Sequence, residues 1–297
     1  MPDRRKKTMN RKEFVVASAT GLVGIGLGGC ASASTSKQKT GPENLRYRTL
    51  GKTGLKVSTV GFGASRTEDP SVIRRIIDNG VNIIDTGRMY SEGRNEELIG
   101  KVIRDIRKDI IIQSKFFRKY LTDTNQILES IDNSLRALKT DYIDIMLKQS
   151  AITRDELLAP PVLEAITRAK KAGKIRFSGF STHDNQAEMI REAVKSGFYD
   201  IVLVAYNHAG SYTHSVSKDY VEWDQAELER EINNAVRAGM GVIAMKTCSG
   251  GPYKYSGESR ASYASALRKI FENKNITSVV PAMASFAQVD ENVKAMG

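Results

Sequence analysis

The chain has 297 residues, 40% of them hydrophobic, and carries 45 Lys and Arg against 34 Asp and Glu, a formal net charge of +11. Two cysteines, Cys30 and Cys248, exclude a disulfide framework and a cysteine-built zinc or iron–sulfur cluster. No basic helix and no alternation of aromatic and basic residues marks a nucleic-acid surface, so the positive charge suits an anionic cofactor or an anionic membrane surface.

The first 44 residues read as a leader and a tether. Arg4, Arg5, Lys6, Lys7, Arg11 and Lys12 form a basic start, and an uncharged Gly, Ala and Val-rich stretch runs from Val15 to Gly29. That stretch is too short and too weakly apolar to span a bilayer, and it fits the apolar part of an export signal. Asn10-Arg-Lys-Glu-Phe-Val15 resembles a twin-arginine export motif with Lys12 as the second cation. Leu27-Gly-Gly-Cys30 resembles a bacterial lipobox, which would make Cys30 the lipidated first residue of the mature chain. Ala31-Ser-Ala33 is the rival cleavage site, and a cytosolic chain with a basic tail is the alternative. The expected organisation is an export signal over 1–29, a Ser, Thr and Lys-rich tether over 30–44, and one folded domain over 45–297. Six basic and two acidic residues precede Cys30, so +7 of the +11 stays with the mature part.

Eight apolar, β-branched runs follow: Val57–Gly61, Val81–Asp85, Asp109–Lys115, Tyr142–Leu147, Ile175–Ser181, Asp200–Tyr206, Gly241–Lys246 and Thr277–Pro281. Segments with helical spacing lie between them, such as Ile127, Ile131, Leu135 and Leu138. Continuous apolar strands alternating with amphipathic helices predict a parallel sheet buried on both faces. Eight such units predict a closed (β/α)8 TIM barrel. An open doubly wound sheet is the competing fold, and the absence of a Gly-x-Gly-x-x-Gly turn after a first strand counts against it.

The second run ends in Asp85, the loop after it carries Tyr90, and the third run ends in Lys115. Singly, each has an ordinary explanation: a loop hydrogen-bonder, a packed ring, a solvated strand end. Together, at the C-terminal ends of neighbouring barrel strands, an acid, a phenol and an amine make a proton-donating site. Cys248, without an identified histidine partner, reads as passive. His183, His208 and His214 match no metal spacing.

Asn82-Ile-Ile-Asp-Thr-Gly-Arg-Met-Tyr90 with the strand-end Lys115 resembles the aldo-keto reductases, whose signature is Asp-Thr-Ala-x-x-Tyr followed by such a lysine. The resemblance covers about residues 45 to 297 and makes Tyr47–Ser58 an N-terminal hairpin turning at Gly54. It implies hydride transfer between a nicotinamide cofactor, NADP or NAD, and a small-molecule carbonyl or alcohol. Tyr90 would be the general acid, Lys115 would depress its pKa, and Asp85 would hold Lys115. The family's strand-four histidine falls on Gln149, whose amide could still hydrogen-bond a carbonyl oxygen; the neighbouring Lys148 should point the other way. Ser181 and Thr182 match the nicotinamide-holding Ser-Asn, with Thr182 replacing Asn. Tyr206-Asn207 matches the family's Tyr-Asn, with Leu203 where a Gln is usual. The Ser249-Gly250-Gly251 loop suits close approach of a pyrophosphate. Ser285 should cap a helix over Phe286–Lys294, whose Gln288, Glu291 and Asn292 match adenosine-contacting positions. No Arg stands at 288 and no Lys-Ser pair near Ala282-Met283, so preference for NADP over NAD is open. The second reading, favoured by Gln149, Thr182 and Leu203, is a barrel that binds cofactor or ligand as a sensor or partner domain without turnover.

Overall fold

The computed structural model describes residues 46–117, 123–214 and 218–295. The expected export signal, Cys30 and the expected tether lie outside them. A hairpin opens the described chain: β1 (Tyr47–Thr49) pairs antiparallel with β2 (Lys56–Ser58). Then come β3 (Phe62–Gly63), α1 (Pro70–Asp78), β4 (Ile83–Asp85), α2 (Arg94–Val102), β5 (Ile111–Phe116), α3 (Thr124–Leu138) and β6 (Ile143–Lys148). The second half holds α4 (Arg154–Leu157), α5 (Pro160–Lys171), β7 (Ile175–Thr182), α6 (Gln186–Ser196) and β8 (Ile201–Ala205). It continues with β9 (Ser211–Thr213), β10 (Tyr220–Glu222), α7 (Gln225–Arg237), β11 (Gly241–Met245), α8 (Tyr263–Ile270), β12 (Ser278–Val279) and α9 (Phe286–Lys294). Helix starts follow side-chain capping rules: Asp69, Asp123, Asp224, Ser262 and Ser285 each accept a hydrogen bond from a first-turn backbone N–H.

Eight strands form one sheet in the order β12-β11-β8-β7-β6-β5-β4-β3, with every pair parallel. The ends meet through bridges Val60↔Val279 and Gly63↔Ala282, with Gly61 N–H donating to the Val279 carbonyl at 2.7 Å. That closure removes the open-sheet alternative and gives the expected (β/α)8 barrel. One boundary differs from expectation. Val57 and Ser58 belong to the hairpin, paired with Arg48 and Tyr47, and the first barrel strand is Phe62–Gly63. The apolar run at Val57–Gly61 serves two elements in succession, which periodicity cannot divide.

Side chains alternate across the barrel wall with the period of two that strands impose. Ile83, Ile111, Ile145, Ile201 and Ile243 pack into an inner cluster, whereas Ile84, Ile112, Met146, Val202 and Ala244 pack outward under the helices. Hairpin residues Leu50, Leu55 and Val57 join the inner cluster from the N-terminal end. Gly51 holds the hairpin close: at φ +49°, a Cβ there would overlap the backbone of Gly239 to Gly241. A second antiparallel hairpin, β9–β10, has no counterpart among the eight expected runs; it lays Tyr212, Val221 and Trp223 against the inner cluster from the other end. Among the described residues no helix is long and apolar enough to cross a membrane.

Candidate active site

Strand direction decides where the polar residues meet. β4 and β5 are parallel neighbours with Asp85 opposite Gln113, so the C-terminal ends of both open on the same end of the barrel. Lys115 Nζ donates to Asp85 Oδ1 at 2.6 Å, to the Thr86 carbonyl at 2.6 Å and to the Tyr90 hydroxyl at 3.2 Å. Gln113 Nε2 donates to the same Asp85 oxygen at 2.7 Å. Asp85 and Lys115 are 4% and 2% exposed. A buried ion pair of this kind persists only while each charge keeps its partner.

The electrostatics depart from the expectation that Lys115 brings the Tyr90 phenol down toward neutrality. Burial pushes the phenol up; Lys115 opposes that, Asp85 adds to it, and the net shift is upward. For Lys115, burial disfavours the ammonium, but the carboxylate of Asp85 and the Tyr90 oxygen outweigh burial and raise its pKa. Tyr90 is therefore a protonated donor at neutral pH, and Lys115 stays charged beside it.

The loop that carries Tyr90 is strained and clamped. Ser91, Glu92 and Gly93 take φ values of +48°, +57° and +92° in succession, a conformation costing non-glycine residues about 1–2 kcal/mol each. Arg88 pins the loop from beneath, meeting the fully buried Glu96 at 2.8 Å and donating to the Glu92 and Asn133 carbonyls. Its guanidinium occupies the space a Cβ on Gly93 would need. Glu96 also accepts from Ser114 at 2.6 Å, and Asn95 joins Thr86 to the Ala64 and Thr67 carbonyls.

Above this network lies a cleft of about 380 Å³ bordered by Asp85, Tyr90, His183, Lys246, Ser249 and the α9 residues Gln288, Glu291 and Asn292. An aldo/keto reductase family model matches residues 58–295. The chain belongs to the aldo/keto reductase family. Among curated relatives, L-galactose dehydrogenase of Arabidopsis thaliana is 28% identical over 287 residues, covering 85% of this chain and 88% of that protein. The holo form of aldo-keto reductase AKR11C1 from Bacillus halodurans superposes with a TM-score of 0.69 at 22% identity, over 84% of this chain and 90% of that one. An aldo-keto reductase from Klebsiella pneumoniae in complex with NADPH gives 0.62 at 21% identity, over 85% of this chain and 89% of that one. At such identities the structural likeness speaks for the barrel alone.

Not every sequence-expected residue of this aldo/keto reductase reaches the cleft. Tyr206 points outward: it packs in the outer core, and its hydroxyl donates to Glu229 at 2.6 Å. An even-numbered residue directly after β8 continues the outward register, which is why it cannot face a ligand at the mouth. Thr182 donates to the Asp184 carbonyl at 2.7 Å, and Ser181 Oγ accepts from Ser150 N–H at 2.9 Å, so both act on the local backbone. Gly250 abuts the Asn207 amide, which a Cβ there would press. Gln149 does not border the cleft, and its Oε1 is buried with no hydrogen-bond partner. In α9, Gln288 Oε1 accepts from Ala284 N–H at 2.7 Å and Glu291 from Tyr263 N–H at 3.1 Å, while Asn292 is 4% exposed.

Two cations and a histidine join the site without any motif to mark them. Arg66, after β3, and Lys246, after β11, border the cleft. Burial, then Arg66, lowers the pKa of Lys246, which also sits at φ +58°. His183 borders it too, and burial followed by Lys246, His214 and Lys115 drops its pKa to about 3. Only their positions, directly after strands for Lys246 and His183 and three residues beyond β3 for Arg66, could flag these residues in the sequence. Cys248 is half-buried at the rim, and burial pushes its thiol up to about 11, consistent with a passive role.

Proposed function

We propose that the protein transfers a hydride between a nicotinamide dinucleotide and the carbonyl or alcohol carbon of a small molecule, with Tyr90 as proton donor. The observation that carries this reading is the Lys115 ammonium bonded to both Asp85 and the Tyr90 hydroxyl at the foot of the cleft. When bound, the cofactor supplies or accepts the hydride. The chain's own residues handle the oxygen. The neutral Tyr90 phenol gives its proton to the developing alkoxide, Lys115 stabilises the phenolate left behind, and Asp85 keeps that ammonium charged and in place.

The donor set fits a dinucleotide. Arg66 and Lys246 are cations for its phosphates, Ser249 stands between loop and cleft, and Gln288, Glu291 and Asn292 border the end toward α9. Membership of the aldo/keto reductase family supports a nicotinamide dinucleotide here. NADP or NAD both suit this set, since Gln288 is neutral and its amide oxygen already serves Ala284.

Gln149 stands at the strand end where the family resemblance implies a histidine. It carries no titratable proton, so Tyr90 delivers the proton without a relay through that position. The test is titration of the leaderless protein with NADPH and NADH by nicotinamide fluorescence, followed by turnover of 4-nitrobenzaldehyde and L-galactose. Binding of neither cofactor at millimolar concentration overturns the reading.

We also propose export and lipid anchoring through Cys30, supported by Leu27-Gly-Gly-Cys30 after a basic, uncharged-core leader. Cys30→Ala should release the protein from the membrane fraction or stall its processing; unchanged membrane retention sinks the proposal.

A further inference from the structure

We infer that His183 is a second catalytic residue, the hydrogen-bond donor to the substrate carbonyl that the end of β6 does not supply. The inference rests on the oxidoreductase reading and deepens it.

A carbonyl oxygen that gains a hydride's electrons becomes strongly basic, and a second donor beside the proton donor lowers that barrier. The end of β6 offers Gln149, which does not border the cleft. The end of the next strand offers His183. In β7, Phe177 packs toward the inner cluster, while Phe180 packs outward with its ring 5.3 Å from that of Tyr199. One residue beyond the strand, His183 continues the inward register and borders the same cleft as Tyr90 and Asp85.

Among the described residues no hydrogen bond is made to its ring. Its ring contact is with Tyr212 of β9, with centroids 6.4 Å apart and planes tilted by 56°. The ring is half-buried, and its nitrogens, without a protein partner, open on the cleft where a ligand oxygen could meet them. Its surroundings favour the neutral form. Burial works against the imidazolium, as do Lys246 after β11, His214 after β9 and Lys115 on β5. A neutral imidazole has one N–H donor and one acceptor, so His183 can hydrogen-bond a carbonyl oxygen without competing with Tyr90 for proton delivery. The bland role, packing against Tyr212, needs only a side chain of similar volume, and substitution separates the two.

The experiment uses the leaderless protein with NADPH and 4-nitrobenzaldehyde, and compares His183→Leu, His183→Gln, His183→Phe and Tyr90→Phe. His183→Leu should lower kcat by about tenfold or more while NADPH affinity stays within about twofold. His183→Gln, which restores an N–H donor, should recover most of the loss. Unchanged kcat in His183→Leu, with Tyr90→Phe inactive, overturns this inference and leaves the oxidoreductase reading standing. A rise in KM alone assigns His183 to ground-state binding and also overturns it. If His183→Leu no longer binds NADPH, the decision passes to the other two variants: His183→Gln no faster than His183→Phe overturns the inference. A parent protein without turnover removes both readings together.

Discussion

The two ends of the barrel are built from the same strands but hold different chemistry. At the N-terminal end the inner positions are Ile83, Ile111, Ile145 and Ile201, sealed by Leu50, Leu55 and Val57 of the first hairpin. Two or four residues further along, the inner positions become Asp85, Gln113 and Lys115, all buried. The step is two residues because a strand returns to the same face at that interval. At the apolar end, area removed from water is the main stabilising term and tight packing is tolerated. At the polar end, each buried group must find a partner, and the partners that do so also make the site. The hairpins repeat the contrast: the first brings only apolar side chains inward, whereas β9–β10 brings Tyr212 beside His183 and places the Lys246 ammonium 5.0 Å from its ring.

Substitutions at the two ends should therefore separate stability from turnover. Lys115→Met should cost both: it strands the Asp85 carboxylate in the barrel, for about 3–5 kcal/mol of stability, and removes the phenolate's counter-charge. Urea unfolding measures the first part, and an unchanged midpoint would show that the pair is not a buried ion pair at all. Tyr90→Phe should cut kcat by on the order of a hundredfold with stability held within about 1 kcal/mol. Full activity in that variant removes Tyr90 from the chemistry. Gly51→Ala, at the opposite end, should do the reverse. Its Cβ would collide with the Gly239–Gly241 backbone at positive φ, costing about 1–3 kcal/mol while leaving kcat alone. A turnover defect there would mean that the two ends are coupled.

The smallest effect concerns pH. The protonated phenol is the active form for reduction, and burial raises the Tyr90 pKa above its ordinary 10.0. The rate of reduction should thus stay level through neutrality and fall only as pH rises past about 10. A falling limb between pH 7 and 9 that disappears in Tyr90→Phe would show that Lys115 outweighs burial.

Much of this is legible in the chain. Eight apolar runs separated by amphipathic segments set the number and direction of the strands, because a strand buried on both faces has no polar positions to spare. The spacing from Asp85 to Tyr90 and on to Lys115 identifies the proton-donating group, because each falls at or just after a strand end. Ser285 marks the start of α9 by composition alone, since a serine ahead of a helical stretch can accept the first-turn N–H that the helix leaves unpaired.

Tertiary structure decided the rest. Whether Val57 and Ser58 serve the hairpin or the barrel depends on pairing with Tyr47 and Arg48, which no local pattern encodes. That Tyr206 faces outward while His183 faces the cleft depends on strand register, and a shift of one residue reverses both. Arg66 and Lys246 are separated by 180 positions and meet only because the barrel closes β3 against β12, next to β11. The direction of the Tyr90 shift lies beyond the sequence for the same reason. Lys115 is visible in the chain as a neighbouring charge, but the burial that outweighs it exists only once the barrel has folded around both groups.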